Sequence, residues 1–232
     1  MGKRIISQAR GHGSLSYRVR KKAYKYKIKY PINEGEATIL SLIHSAGHSA
    51  PLMKLQVAKE IFYSPAFNGA FEGQKIIINA KEQKKGNIIM LKNVFPGEAI
   101  YNIERNPGDG GKMIRSAGSS ATVYKQYDNN KISVLMPSKK EVILSGDCRA
   151  TLGIIAGDGR LLKPFIGASA KFYKMKSRNK LWPRTSAVKM NAVDHPFGSG
   201  RGKRIKPKIA KRNAPPGTRV GHVRPRQTGK RK

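Results

Sequence analysis

Acidic residues are almost absent from both ends of this chain: none precedes Glu34, and only Asp194 follows Asp158. Residues 1–33 hold ten basic and no acidic groups, 34–158 hold 15 and 12, and 159–232 hold 22 and one. The whole chain carries a formal charge of +34 over 232 residues. A folded body with that imbalance repels itself, so it calls for a polyanionic partner, and nucleic acid is the first candidate. The near-neutral middle is long enough to bury a core for one or two small domains. The ends lack the apolar content to fold independently.

Cysteine is nearly missing too. Cys148 stands alone, which excludes an internal disulfide, argues against a thiolate zinc site and fits a cytoplasmic protein. No apolar run approaches the roughly 20 residues that span a bilayer, so no membrane association is expected. The N-terminus has no apolar core of a secretory signal. A basic, acid-free N-terminus also suits a mitochondrial transit peptide, but residues 24–30 alternate Tyr or Ile with Lys, and period two opposes an amphipathic helix. Tyr24, Tyr26 and Tyr30 then belong to a two-faced strand or to an arm lying on nucleic acid.

Helical periodicity is scarce, and no repeat recurs at solenoid spacings. Strands are expected at 37–43 and 52–58, joined by the turn Ser45-Ala46-Gly47-His48-Ser49. Further strands are expected at 60–63 and 74–79, then, after Pro96-Gly97, at 99–103, 121–127, 132–136 and 141–144. Two series of short strands with polar turns favour small barrels or sandwiches. Only 168–179 reads as a helix, basic and marginal, with Phe172 and Met175 three apart. From Leu181 onward Gly, Pro, Lys and Arg predominate, which predicts an extended tail ordered by bound RNA through counterion release.

Three stretches carry a family likeness: NPGDGGKMIRSAGSSATV at 106–123, GDCRATLGIIAG at 146–157 and WPRTSAVKMNAVDHPFGSGRG at 182–202. In this order they resemble the universal second protein of the large ribosomal subunit, ribosomal protein L-two. Weaker likeness covers most of residues 1–202. Phe197 stands where bacterial members commonly carry a second His, and Ser199 where Gly is usual. With the opening MGKRIISQARGHGS, these point to the archaeal and eukaryotic branch.

The resemblance implies a mainly β fold: a basic extension at 1–34, an OB-like β-barrel at 35–90, an SH3-like β-barrel at 91–165, and a short basic helix with an rRNA-binding tail at 166–232. It implies a structural constituent of the large subunit that binds rRNA near the peptidyl transferase region, supports tRNA placement and meets the small subunit across an intersubunit bridge. Neighbouring ribosomal proteins are further partners. The rRNA contacts fall on Lys112, Arg115 and Ser116, on Arg149, and on Arg178, Arg184, Lys189, Asn191, Asp194, His195, Arg201, Lys203 and Arg204. No cofactor, metal or catalytic residue is expected.

Other chemistries fit these residues less well. Pro107-Gly108-Asp109-Gly110-Gly111-Lys112 is neither a P-loop nor a GxGxxG between strand and helix. Its glycines are instead expected to bring backbone amides close to phosphate, with Lys112 and Arg115 supplying charge. Asp194 and His195 near Ser186 and Ser199 suggest a hydrolase triad, yet a triad needs a rigid frame, and GxSxG is absent. A structural role is preferred, with Asp194 accepting amides of its turn, His195 on RNA, and the loop shaped by RNA alone. His44 and His48 sit four apart but with no helix to align them for a metal. Trp182 is expected to pack into protein. A generic chromatin-type protein would share the basic ends but not the three motifs.

Overall fold

A computed structural model of the chain describes residues 21–80, 82–203, 209–210, 213–215, 218 and 220–223. The described residues fall into two compact units, Lys21–Gly167 and the residues from Ala168 onward. The architecture is mainly β.

In the first unit ten strands make one continuous sheet: β1 Gly35–Ile43, β2 Leu52–Val57, β3 Glu60–Pro65, β4 Lys75–Ile78, β5 Ile88–Met90, β6 Ala99–Tyr101, β7 Ala121–Tyr127, β8 Lys131–Leu135, β9 Glu141–Ser145 and β10 Arg149–Leu152. Their order is β3-β2-β1-β4-β5-β10-β6-β7-β8-β9. All pairs are antiparallel except β4 with β5, which meet in parallel at Ile78 and Ile88. The expected hairpins β1–β2 and β7–β8 form, with registers such as Ile39 opposite Leu55 and Val123 opposite Val134.

The curled sheet encloses two hydrophobic clusters. Ile39, Met53, Leu55, Phe62, Ile76 and Ile78 fill the first, while Leu91, Ile100, Val123, Ile132, Val134 and Leu144 fill the second. The central strands serve both. Neighbours on a strand point to opposite faces, so Ile88 enters the first cluster and Ile89 the second, as do Tyr101 and Ile100 respectively.

β5 and β10 were not among the expected strands. Buried on both sides, Ile88-Ile89-Met90 shows no polar alternation, and that alternation is the signal of a strand with one wet face. The expected strand 99–103 ends at Tyr101 because Asn102 turns to φ 49°.

The N-terminal segment is part of this body from residue 21 on. Ile28 and Tyr63 form an isolated bridge, so the chain lies along the free edge of β3. Tyr30 is 1% exposed. Its hydroxyl donates to the Asn102 carbonyl at 2.8 Å and sits 2.6 Å from Thr151 Oγ1. Burial raises its pKa, so it stays a neutral donor. The tyrosine-lysine alternation thus resolves into one buried anchor, Tyr30, with exposed Lys25, Lys27 and Lys29 around it.

In the second unit, α1 spans Ala168–Ser177 with no buried residue. It ends where Asn179 takes φ 53° while the Asn179 and Lys180 amides return to the Lys176 and Met175 carbonyls. That is a left-handed helix stop in which Asn takes the place of Gly. The tail is less featureless than expected, since β11 Ile209–Ala210 and β12 His222–Val223 pair in parallel. Trp182 is half-buried, with the Lys171 ammonium 5.3 Å from its ring centre.

Tyr30 separates the packing and hydrogen-bond contributions cleanly. Tyr30→Phe should lower unfolding stability by about 1–2 kcal/mol, the cost of a lost bond with its buried acceptor left behind. Tyr30→Ala should cost about 3–5 kcal/mol. Urea unfolding of the full chain measures both.

Candidate nucleic-acid interface

The loop of the first motif is organised by two carboxylates. Glu104, wholly buried, accepts the amides of Gly108 at 3.3 Å and Gly110 at 3.0 Å. Asp109 accepts those of Arg105 and Asn106 at 3.1 and 3.2 Å, and that of Gly111 at 3.0 Å. Gly110 at φ 79° and Gly111 at φ 84° are forced choices, because a side chain on Gly111 would meet the Asn102 carbonyl at 2.5 Å. The expectation that these glycines offer amides to phosphate is therefore corrected: the amides are already spent on carboxylates, whose charge would repel a phosphate brought against them. What remains for an anion is cationic side chains, and Lys112 is exposed.

Arg149 and Arg115 face inward. The Arg149 guanidinium lies 3.0 Å from Glu104 with its side chain only 14% exposed, and 5.4 Å over the Tyr30 ring. It also donates to the Pro31 carbonyl at 2.8 Å. Arg115 donates to Asn102 Oδ1 at 2.9 Å and to the carbonyls of Ile28 and Gly111. Burial lowers its pKa. Both arginines hold residues 28–31 against the sheet, an anchoring task that residue type and motif position did not reveal. Ser116 is exposed, and its carbonyl caps the turn to Ser119 at 3.1 Å.

The third motif folds on itself. The Asn191 carbonyl accepts the Asp194 and His195 amides at 3.0 and 3.2 Å, and the Gly198 amide returns to His195 at 2.8 Å. Gly198 is buried against the Met190 and Asn191 main chain, leaving no room for a side chain. Ser199 takes φ 61°, the left-handed conformation that Gly would reach without cost. The loop thus has internal closure and does not depend on RNA for every turn. The Asp194 carboxylate is exposed, and the turn is closed by main chain and imidazole in its stead.

His195 is 9% exposed. Its Nδ1 accepts the Phe197 amide at 3.1 Å, which leaves the proton on Nε2, and its ring tilts against Phe197 at 5.1 Å. Arg184, Lys189, Asn191, Arg201 and Lys203 are exposed, while Arg178 is half-buried with Nε unpartnered among the described residues. Arg204 lies outside the described residues. In the first unit, His48 Nδ1 is 2.8 Å from Ser45 Oγ and its ring packs edge-on to Tyr24, so it serves the β1–β2 turn.

Partial removal of His195 from water lowers its pKa below the ordinary 6.5. Because the folded value lies below the unfolded one, the folded loop resists protonation, and its stability falls as pH drops below 6.5 toward the folded value. An NMR titration should give a His195 midpoint that is lower in the folded chain than in the urea-unfolded one. Burial also pushes the Cys148 thiol up to about 11, so alkylation at neutral pH should label the native chain far more slowly than the unfolded one.

Comparisons with known proteins match this arrangement. The model of the family described as Ribosomal Proteins L2, C-terminal domain, covers residues 84–218, from β5 through the third motif. The chain is 42% identical to large ribosomal subunit protein uL2 of Archaeoglobus fulgidus over the whole of both chains. It is 41% identical to that of Methanococcus maripaludis, again over the whole of both. With the uL2 of Korarchaeum cryptofilum it shares 39% identity over all of this chain and 97% of the relative. The chain belongs to the uL2 family of large ribosomal subunit proteins.

Proposed function

We propose that the protein is a structural constituent of the large subunit of the cytoplasmic ribosome and acts by binding rRNA, with no catalysis of its own. The observation that carries this is the charge of residues 159–232, 22 basic groups against one acidic. Arg184, Lys189, Arg201 and Lys203 among them are exposed beside the self-closed third motif. Cations in that density neutralise phosphates and release counterions, which drives binding. Asn191 and Asp194 join this surface by exposure, and Lys112 and Ser116 are exposed rRNA contacts on the first unit. Arg115, Arg149 and Arg178 reach RNA through whatever edge of each guanidinium stays open, and Arg204 extends the basic run.

By family likeness the third motif lies near the peptidyl transferase region, where the protein supports tRNA placement and, across a bridge, association with the small subunit, alongside neighbouring ribosomal proteins. His195 fits a supporting role: its Nδ1 is engaged by Phe197, so only Nε2–H is left as a donor. The two hydrophobic clusters support an OB-like barrel at 35–90 and an SH3-like barrel at 91–165: most of the first cluster comes from residues up to Ile88 and most of the second from Ile89 on, with Tyr101, Ala117 and Ile155 crossing into the first and Ala80 into the second.

Binding of the full chain to large-subunit rRNA, followed through a salt series, tests the proposal. The logarithm of affinity should fall linearly with the logarithm of salt. Replacing Arg184, Lys189, Arg201 and Lys203 together by Gln should flatten that slope by roughly one per lost phosphate contact. A slope untouched by the fourfold change would remove this surface from the interface.

A further inference from the structure

We propose that the outer face of the β7–β8–β9 ribbon is a platform on which unpaired RNA bases stack, a site separate from the three motifs; it rests on the rRNA-binding reading above. The ribbon ends the ten-stranded sheet at β9. Its inner face is apolar, with Val123, Ile132, Val134 and Leu144 in the second cluster. Its outer face carries Tyr124, 47% exposed, Tyr127, 43% exposed, and Ile143, 58% exposed. Lys125 and Lys131 lie among them. The register places Lys125 beside Ser133 and Ile143, and Tyr127 beside Lys131.

A backbone irregularity produces this face. The β7–β8 register shifts between Val123 and Lys125, so Tyr124 is an extra residue with no partner on β8. Strict alternation after Val123 would turn Lys125 and Tyr127 inward. The bulge sends Tyr124, Lys125 and Tyr127 outward instead, and Gln126 turns the other way, where Nε2 donates to the Val94 carbonyl at 2.6 Å. Bulges that re-aim side chains are features to be explained, since the extra residue forgoes ladder bonds. Here the gain is two accessible aromatic rings interleaved with cations on a rigid strand.

That combination fits single-stranded nucleic acid. Tyrosine rings offer faces to bases of any sequence, and lysines meet the phosphates between them. The tyrosines are up to roughly 10 Å apart along the strand, which suits bases splayed from a single strand and not the stacked interior of a duplex. The Lys125 ammonium lies 5.0 Å from the centre of the Tyr124 ring, a contact that a base and its phosphate would share. Glu141, at the far end of the face, is engaged by Ser133 Oγ at 3.1 Å. An apolar protein partner would be served by Ile143 and the rings but would leave Lys125 and Lys131 without a counter-charge.

The test uses the full chain freed of RNA, a fluorescent single-stranded oligouridylate and an RNA duplex of equal length, each through a salt series. Tyr124→Ala and Tyr127→Ala should each weaken single-strand binding at least about fivefold at every salt concentration, leaving the salt slope and duplex binding unchanged. Phe at either position should restore binding. Leu should not, because it keeps apolar area without a π face. Single-strand binding indifferent to both alanines, equal loss on the duplex, or rescue by Leu as good as by Phe would overturn the platform. Binding of the duplex by the wild-type chain leaves the rRNA reading standing in each of those cases. Failure of the wild-type chain to bind either RNA would sink both.

Discussion

A single buried carboxylate, Glu104, holds together the parts of the first unit that sequence separates. It takes the Gly108 and Gly110 amides on one side, and the Arg149 amide and guanidinium on the other. Through Arg149 it reaches Tyr30 and the Pro31 carbonyl. Taking a carboxylate out of water costs several kcal/mol and is offset only when every lone pair finds a donor. Glu104 meets that condition with two loop amides together with the amide and guanidinium of Arg149. The shape of the motif loop, the seating of β10 and the docking of the N-terminal segment therefore depend on one another, and the Glu104 to Arg149 pair joins them across 45 residues. A chain so rich in cations needs such fixed points, because its few acids decide which arginines turn inward and which stay available.

Much of the fold was legible in the sequence where one side of a strand meets water. β1, β2, β7, β8 and β9 announced themselves through alternation and through turn residues such as Ser45-Ala46-Gly47-His48-Ser49. β5 and β10 did not. They lie in the middle of the sheet, pairing directly with each other, and both faces of β5 are dry. A strand of three apolar residues has no period to read. The helix was legible to within two residues, read at 168–179 and found at Ala168–Ser177, with Asn179 in the left-handed conformation that stops it.

The candidate site divides along the same physical line. Motif strings identified the loops at 106–123 and 182–202, in which Lys112, Lys189, Arg201 and Lys203 are exposed. Arg115 and Arg149 look identical to these in sequence, yet they bond to Ile28, Pro31, Asn102 and Glu104, which leaves only part of each guanidinium open. Nothing local distinguishes an arginine that meets phosphate from one that meets a carbonyl 118 residues away. His195 shows the converse. Its neighbours suggest a reactive group, whereas the geometry gives it a backbone amide at Nδ1 and an aromatic neighbour, the surroundings of a side chain that shapes its loop.

Membership of a working large subunit, with function delivered through RNA, can be checked by sedimenting a lysate containing a tagged copy of the full chain through a sucrose gradient at moderate salt. The tag should travel with the large subunit and with assembled ribosomes, and move to the top of the gradient once the RNA is digested. A tag that stays among free soluble proteins, or that sediments with chromatin, would contradict it.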